Sequence, residues 1–141
     1  VTISAVPYTP EDMDVMSRTL YGECRGEPHK GQIAVAWVIR NRLKRPKRFA
    51  RTIAGICKQS FQFSCWNSGD PNRAKLDALP ANDATLLKLR AVCIDVLGGF
   101  VEDPTDGAQF YYATSIPAPA WADGHEPSVV IGRHAFFNDV L

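Results

Sequence analysis

Seven consecutive residues, Ile33-Ala34-Val35-Ala36-Trp37-Val38-Ile39, leave a helix no polar face. A surface helix keeps one polar side, so a helix apolar all round is buried and the rest of the chain must wrap it. The run lies in a helical window from about Lys30 to Leu43, closed by Pro46. The 141 residues suffice for one domain around such a helix and leave little room for a second. A chain of this size buries roughly 70% of the surface its unfolded form exposes, and needs neither metal nor disulfide to fold.

The flanking elements follow from local signals. Thr9-Pro10-Glu11-Asp12 reads as a helix start: a capping hydroxyl, a proline at the first helical position and acids at the positive end of the dipole. Met13, Met16 and Leu20 recur at helical spacing, so this helix runs to about Cys24 and stops before Gly26 and Pro28. A short helix is expected over Thr52 to Lys58. Gln59 to Leu79 is aromatic, polar and punctuated by Gly and Pro, and reads as loop. Asn82 or Asp83 caps a third long helix that ends at Gly98-Gly99. Beyond it, Asp106-Gly107 signals a turn, Gln109 to Ala113 and Ser128 to Ile131 read as strands, and Arg133 to Phe137 closes the chain. Ile116 to Pro127, with three prolines, reads as loop. The fold class is α+β, mostly helical with a small late β element.

Several function classes are excluded or weakened. At 45% apolar and 22% charged residues the chain is neither a disordered tail nor a fibre. No run of about eighteen apolar residues could form a transmembrane helix. The first ten residues carry no secretory signal pattern. Cys24, Cys57, Cys65 and Cys93 fit no zinc spacing and read as buried free thiols, with a single bridge, Cys57 to Cys65, left open. His29, His125 and His134 are too scattered to argue a metal site, and no cofactor is expected.

Three features carry chemistry. Glu23, at the end of the first helix and backed by Leu20, Tyr21 and Trp37, would have a raised pKa at the wall of a cleft and serve as a general acid near neutral pH. The plainer alternative is a surface pair with Arg25 or Arg18. Glu27, four residues on, reads as a loop-fixing or capping group. Second, Arg40, Arg42, Lys44, Arg45, Lys47, Arg48, Arg51 and Lys58 gather half of the sixteen Lys and Arg. Such a run attracts a polyanion, nucleic acid or an anionic cell envelope, or is a solvated helix end. No nucleic-acid motif accompanies it. Third, Phe61, Phe63, Trp66, Phe110, Tyr111, Tyr112 and Trp121, interleaved with Gln59, Gln62, Asn67, Thr114 and Ser115, suit a sugar-binding groove, with about half of the rings assigned to a core. His134 reads as a buried structural histidine. Pairing it with Cys65 or Cys24 would make a Cys-His hydrolase, but no local cysteine-protease signature supports that.

Tyr21-Gly22-Glu23-Cys24-Arg25-Gly26-Glu27-Pro28, then Gly31-Gln32-Ile33-Ala34-Val35-Ala36 and Asn41-Arg42, resemble the opening signature of the spore cortex-lytic enzyme and cell wall hydrolase family. The resemblance continues through Thr52 to Ile56, Gln59, Phe63 to Trp66, Gly107-Ala108, Phe110 to Thr114, Pro119 to Ala122 and Ile131 to Phe137. It spans about residues 13 to 138. It implies cleavage of peptidoglycan glycan strands on a lysozyme-like fold, similar to lytic transglycosylases and resuscitation-promoting factors. The family's catalytic acid lands on Glu23. Gln59, Phe63, Trp66, Tyr111, Tyr112, Trp121 and His134 fall on groove or support positions. Cys24 stands where Ala is usual, and Tyr112 where many members carry His.

The expectation is therefore one catalytic domain over residues 1–141. It would cut the β-1,4 bond between N-acetylmuramic acid and N-acetylglucosamine, with Glu23 catalytic. No second acid has a clear claim, which favours a lytic transglycosylase over a muramidase. Gln59, Phe63, Trp66, Tyr111, Tyr112, Thr114 and Trp121 would bind glycan, supported by Glu27 and His134. A rival is a non-catalytic wall-binding or phage structural protein. A monomeric phage-type endolysin, cytoplasmic until released onto the wall, with the Arg40 to Lys58 run facing the anionic envelope and no nucleic acid bound, completes the expectation.

Overall fold

The computed structural model describes residues 3–59 and 63–141. Its first helix, α1 (Pro10–Cys24), opens on a reciprocal cap. The Asp12 backbone N–H donates to Thr9 Oγ1 at 3.1 Å, and the Thr9 N–H donates to the Asp12 carboxylate at 3.0 Å. Two otherwise orphaned donors are satisfied together. The second helix, α2 (His29–Arg42), is buried continuously from Ala34 to Arg42. It is the central helix that its sequence requires. Helix α3 (Ile53–Lys58) is capped by Thr52 Oγ1, which accepts from the Gly55 N–H.

Among its described residues, the stretch read as loop between Gln59 and Leu79 contains a 3-10 turn, Ser64–Trp66, and a helix, α4 (Pro71–Ala78). Asp70 caps α4 by accepting from the Asn72 N–H at 2.8 Å, and Pro71 takes the first helical position. Its start signal matches that of α1. Its periodicity does not, because Leu76 is its one buried residue. Helix α5 (Ala84–Leu97) is capped by Asp83, which accepts from the Leu86 N–H, and ends at Gly98. Gly99 follows at φ +76°, where a Cβ would meet the Ile3 carbonyl oxygen at 2.5 Å. Only glycine lets the N-terminal segment cross there.

Strands β1 (Phe110–Ala113), β2 (Val129–Ile131) and β3 (His134–Phe137) form one antiparallel sheet in the order β1-β3-β2. Asp106 (φ +56°) and Gly107 (φ +84°) make the expected turn before β1. The loop from Ile116 to Pro127 holds one 3-10 turn, Ala120–Ala122. In the register, Tyr111 faces Phe136, and His134 pairs with Ala113 on one side and Ile131 on the other. All four residues of β3 are buried. The core joins α1, α2 and α5, through Met16, Leu20, Val35, Ile39, Leu89 and Leu97, to the inner face of the sheet through Phe136. The α+β expectation is met.

All four cysteines are buried and free, so the Cys57–Cys65 bridge is not formed. The basic run does not form one solvated face. Arg40 and Arg42 are buried at 7% and 4% exposure. Arg40 donates to the carbonyls of Val96, Leu97 and Ser4, tying down the end of α5. Arg45 donates to Gln109 Oε1 and the Val140 carbonyl. Lys44, Lys47, Arg48, Arg51 and Lys58 stay exposed. Long cationic side chains satisfy stranded carbonyls well, and that use outweighs solvation for the inner members.

Candidate active site

Glu23 is the penultimate residue of α1, at the junction of two cavities. One, of about 370 Å³, is polar and lined by Arg25, Glu27, Ser115, Arg133 and His134. The other, of about 390 Å³, is lined by Arg42, Tyr111, Tyr112, Ile116 and Trp121. The wall comes from β1, β3, the end of α2 and the loop after β1. Leu20 and Trp37, expected behind Glu23, belong to the core, and Tyr21 carries the Arg25 guanidinium on its ring.

The surface pairings considered for Glu23 do not occur. Arg18 bonds Asp14 and the carbonyls of Leu76 and Leu79, and Arg25 bonds the Tyr21 carbonyl. The partner of Glu23 is Tyr111, whose hydroxyl donates to Glu23 Oε1 at 3.3 Å. Burial pushes the Glu23 carboxyl up to about 7. The Tyr111 hydrogen bond and the Arg42 charge oppose the rise, and Asp70 adds to it. A carboxyl in that range is largely protonated just below neutrality and can both give and retake a proton. The Tyr111 phenol is itself driven well up by burial and by Glu23, so it keeps its proton and stays a donor.

Tyr111 is held on three sides. Its ring stacks on Phe136 at 5.6 Å, meets His134 edge-on at 5.0 Å and lies 6.4 Å from Phe63. Glu27 fixes the hairpin that carries His134: its Oε1 accepts from the Arg133 backbone N–H at 2.8 Å. His134 Nδ1 lies 3.4 Å from the same oxygen, too poorly aligned for a hydrogen bond. Burial lowers the His134 pKa and Glu27 partly restores it. Glu27 and His134, the residues expected in support, both line the polar cavity beside Glu23.

The expected glycan-binding positions divide. Tyr111, Tyr112 and Trp121 line the aromatic cavity. Tyr112 stacks on Phe137 at 5.7 Å, and Trp121 packs against Phe110 and Phe137. Thr114 is exposed at the end of β1, where its hydroxyl donates to the Arg133 carbonyl at 3.2 Å. Three positions lie elsewhere. Phe63 is buried and backs Tyr111 and Arg42. Trp66 is core, its indole N–H donating to Thr19 Oγ1 at 2.7 Å. Gln59 joins two loops, accepting from the Ala50 N–H and donating to the Arg48 carbonyl. Rings and amides beside a core satisfy its packing and its backbone first. Phe61 and Gln62 lie outside the described residues.

Sequence reasoning placed Arg42 in the charge run, yet it lines the aromatic cavity. The signal was present, since Arg42 ends the helix whose apolar centre demanded burial. Ile116, more than half exposed at the rim, carried no such signal. Cys24 and Cys65 adjoin the site, but burial drives both thiols up, Cys65 to about 12, which denies them the thiolate that a Cys-His hydrolase needs. Among the described residues no three His, Cys, Asp or Glu side chains are grouped to hold a metal.

The family model described as cell wall hydrolase matches residues 26–137. It begins three positions after Glu23, so the case for that residue rests on its surroundings. The spore cortex-lytic enzyme of Halalkalibacterium halodurans is 32% identical over 131 residues, which is 93% of this chain and 36% of that protein. The Bacillus subtilis spore cortex-lytic enzyme is 29% identical, over 92% of this chain and 38% of its own length. The chain thus spans little more than a third of these curated relatives. The crystal structure of the catalytic domain of the Bacillus cereus SleB protein superposes with a TM-score of 0.75, at 29% identity, over 94% of each chain. The catalytic domain of the germination-specific lytic transglycosylase SleB from Bacillus anthracis gives 0.74 at 29% identity, over 94% of this chain and 99% of that one.

Proposed function

The chain belongs to the cell wall hydrolase family, and from that premise we propose that residues 1–141 act as one catalytic domain, a lytic transglycosylase that cuts the β-1,4 bond after N-acetylmuramic acid in peptidoglycan. The observation that carries this reading is the Glu23 carboxyl, desolvated at the meeting point of two cavities and held by Tyr111. Protonated Glu23 donates to the bridging oxygen as the C1–O bond breaks, leaving an oxocarbenium-like centre on the muramic residue. The Glu23 carboxylate then takes the proton of that sugar's own 6-hydroxyl, whose oxygen closes on C1. The product is an anhydro sugar, and Glu23 is reprotonated for the next cycle.

A water-consuming route by the usual two-carboxylate scheme needs a second acid across the groove. The other carboxylate beside the polar cavity is Glu27, and its oxygen is committed to the Arg133 N–H. Tyr112 and Trp121 offer ring faces to sugar C–H groups, and Tyr111 steadies the acid. One chain supplies all of these groups, which suits action as a monomer. The exposed remainder of the basic run, Lys44, Lys47, Arg48, Arg51 and Lys58, would face the anionic envelope.

The test pairs a variant with a product analysis. Glu23→Gln should lower lysis of purified wall by far more than tenfold, and the muropeptides released by the unaltered protein should be one water lighter than reducing-end products. Retention of activity within about tenfold, ~1.4 kcal/mol, removes Glu23 from the mechanism. Products of full mass identify a muramidase instead.

A further inference from the structure

The carboxylate that Glu23 leaves behind after giving up its proton is partly desolvated, so its stability depends on fixed neighbours. This step rests on the reading of Glu23 above. Arg42 ends α2 with 4% exposure, its guanidinium over the rings of Phe49, Phe63 and Phe110 at 4.8, 5.0 and 5.6 Å. Its Nε donates to the Gln109 carbonyl at 2.9 Å. Its Nη1 is buried without a hydrogen-bond partner among the described residues, and no carboxylate there pairs with it. Arg40, two residues earlier and on another side of α2, is also buried but has three carbonyl acceptors. We infer that Arg42 is a positioning residue for the reaction, a sealed counter-charge that stabilises the carboxylate form of Glu23 once its proton has moved to the leaving oxygen.

The two residues line the same cavity without forming a salt bridge, so the coupling acts through space. With Nη1 sealed off, Arg42 works through Glu23. The other groups facing Glu23 do not supply a buried cation: Arg25 and Arg133, which line the polar cavity with it, are exposed to solvent, and Glu27 in the same wall is an acid. Tyr111 of β1 stays protonated, Asp70 at the start of α4 is negative, and the thiols of Cys24 and Cys65 are neutral. His134 of β3 is kept from charging by burial. Arg48 faces Arg42, adding a like charge that sharpens the need for an anion. A buried cation with an unused donor is costly unless something nearby becomes negative, and the catalytic cycle makes Glu23 negative.

The test follows the pH profile of lysis and a 13C NMR titration of the Glu23 carboxyl in Arg42→Gln and Arg42→Lys. Removing the cation in Arg42→Gln should raise the Glu23 pKa and move the alkaline limb up by about half a unit or more, against about 1–3 units for a cation in direct contact. Turnover should fall about tenfold. Arg42→Lys keeps the charge, and its Glu23 titration should stay near that of the unaltered protein. An unmoved titration in folded Arg42→Gln overturns the inference. Should that variant not fold, the Lys variant decides alone, and a shift there of about one unit or more overturns it. The NMR readout needs no turnover, so this failure is separable from that of Glu23 as the acid, which Glu23→Gln reads.

Discussion

The hydroxyl of Tyr111 reaches across 88 positions of sequence to donate to Glu23 Oε1 at 3.3 Å. The hydrogen bond favours the carboxylate and partly offsets the burial that favours the acid. Tyr111→Phe should therefore raise the Glu23 pKa above about 7 and move the alkaline limb of lysis upward, with about tenfold loss at neutral pH from a poorly oriented acid. Asp70→Asn should move the limb the other way, because it removes a negative charge and keeps the cap on α4. Limbs that move together, or not at all, would show that these neighbours do not set the acid.

Glu23 also couples activity to stability. Its folded pKa, about 7, exceeds the ordinary 4.5, so the folded state holds the proton more tightly. Stability is full below about pH 4.5 and is lost as pH rises through about 7, by about 3 kcal/mol at most. Glu23→Gln stays neutral and escapes this loss. Its melting temperature should gain on the unaltered protein by several degrees between pH 5 and pH 8. Parallel melting curves over that range would refute the buried-acid assignment.

Glu27 pins the β2–β3 turn to the end of α1, and the fit is tight: a Cβ on Gly132, at φ +57°, would lie 2.7 Å from Glu27 Oε1. Glu27→Ala leaves the Arg133 N–H without its acceptor and should cost about 1–3 kcal/mol. Glu27→Gln keeps an oxygen there and should cost less than half as much. Urea unfolding of the two variants measures the difference.

The basic run divides into two classes that mutagenesis should separate. Arg40→Gln strands the carbonyls at the end of α5 and should destabilise the fold by about 2–4 kcal/mol. Replacing Lys44, Lys47, Arg51 and Lys58 together by Gln should leave stability within about 1 kcal/mol and weaken wall lysis at low salt only. Equal lysis at every ionic strength would remove the envelope role.

Most helix boundaries were legible because their causes are local. Thr9 and Asp83 cap the helices expected of them, and Gly98 ends α5. Helix α4 was missed because one buried leucine gives no period, although Asp70-Pro71 marked its start. Glu23 stood out by its position at a helix end and by resemblance. Trp66 and Phe63 looked like groove aromatics since composition does not tell a ring that faces a cavity from one that faces a core.

Caps, turns and the all-apolar helix were determined by the sequence, since each is decided within a few residues along the chain. Tertiary structure alone decided which arginines went inside, which rings walled the cavities and which hydroxyl met the acid. Desolvation and long-range hydrogen bonds depend on what is packed opposite, and for Glu23 that neighbour comes from a strand near the other end of the chain.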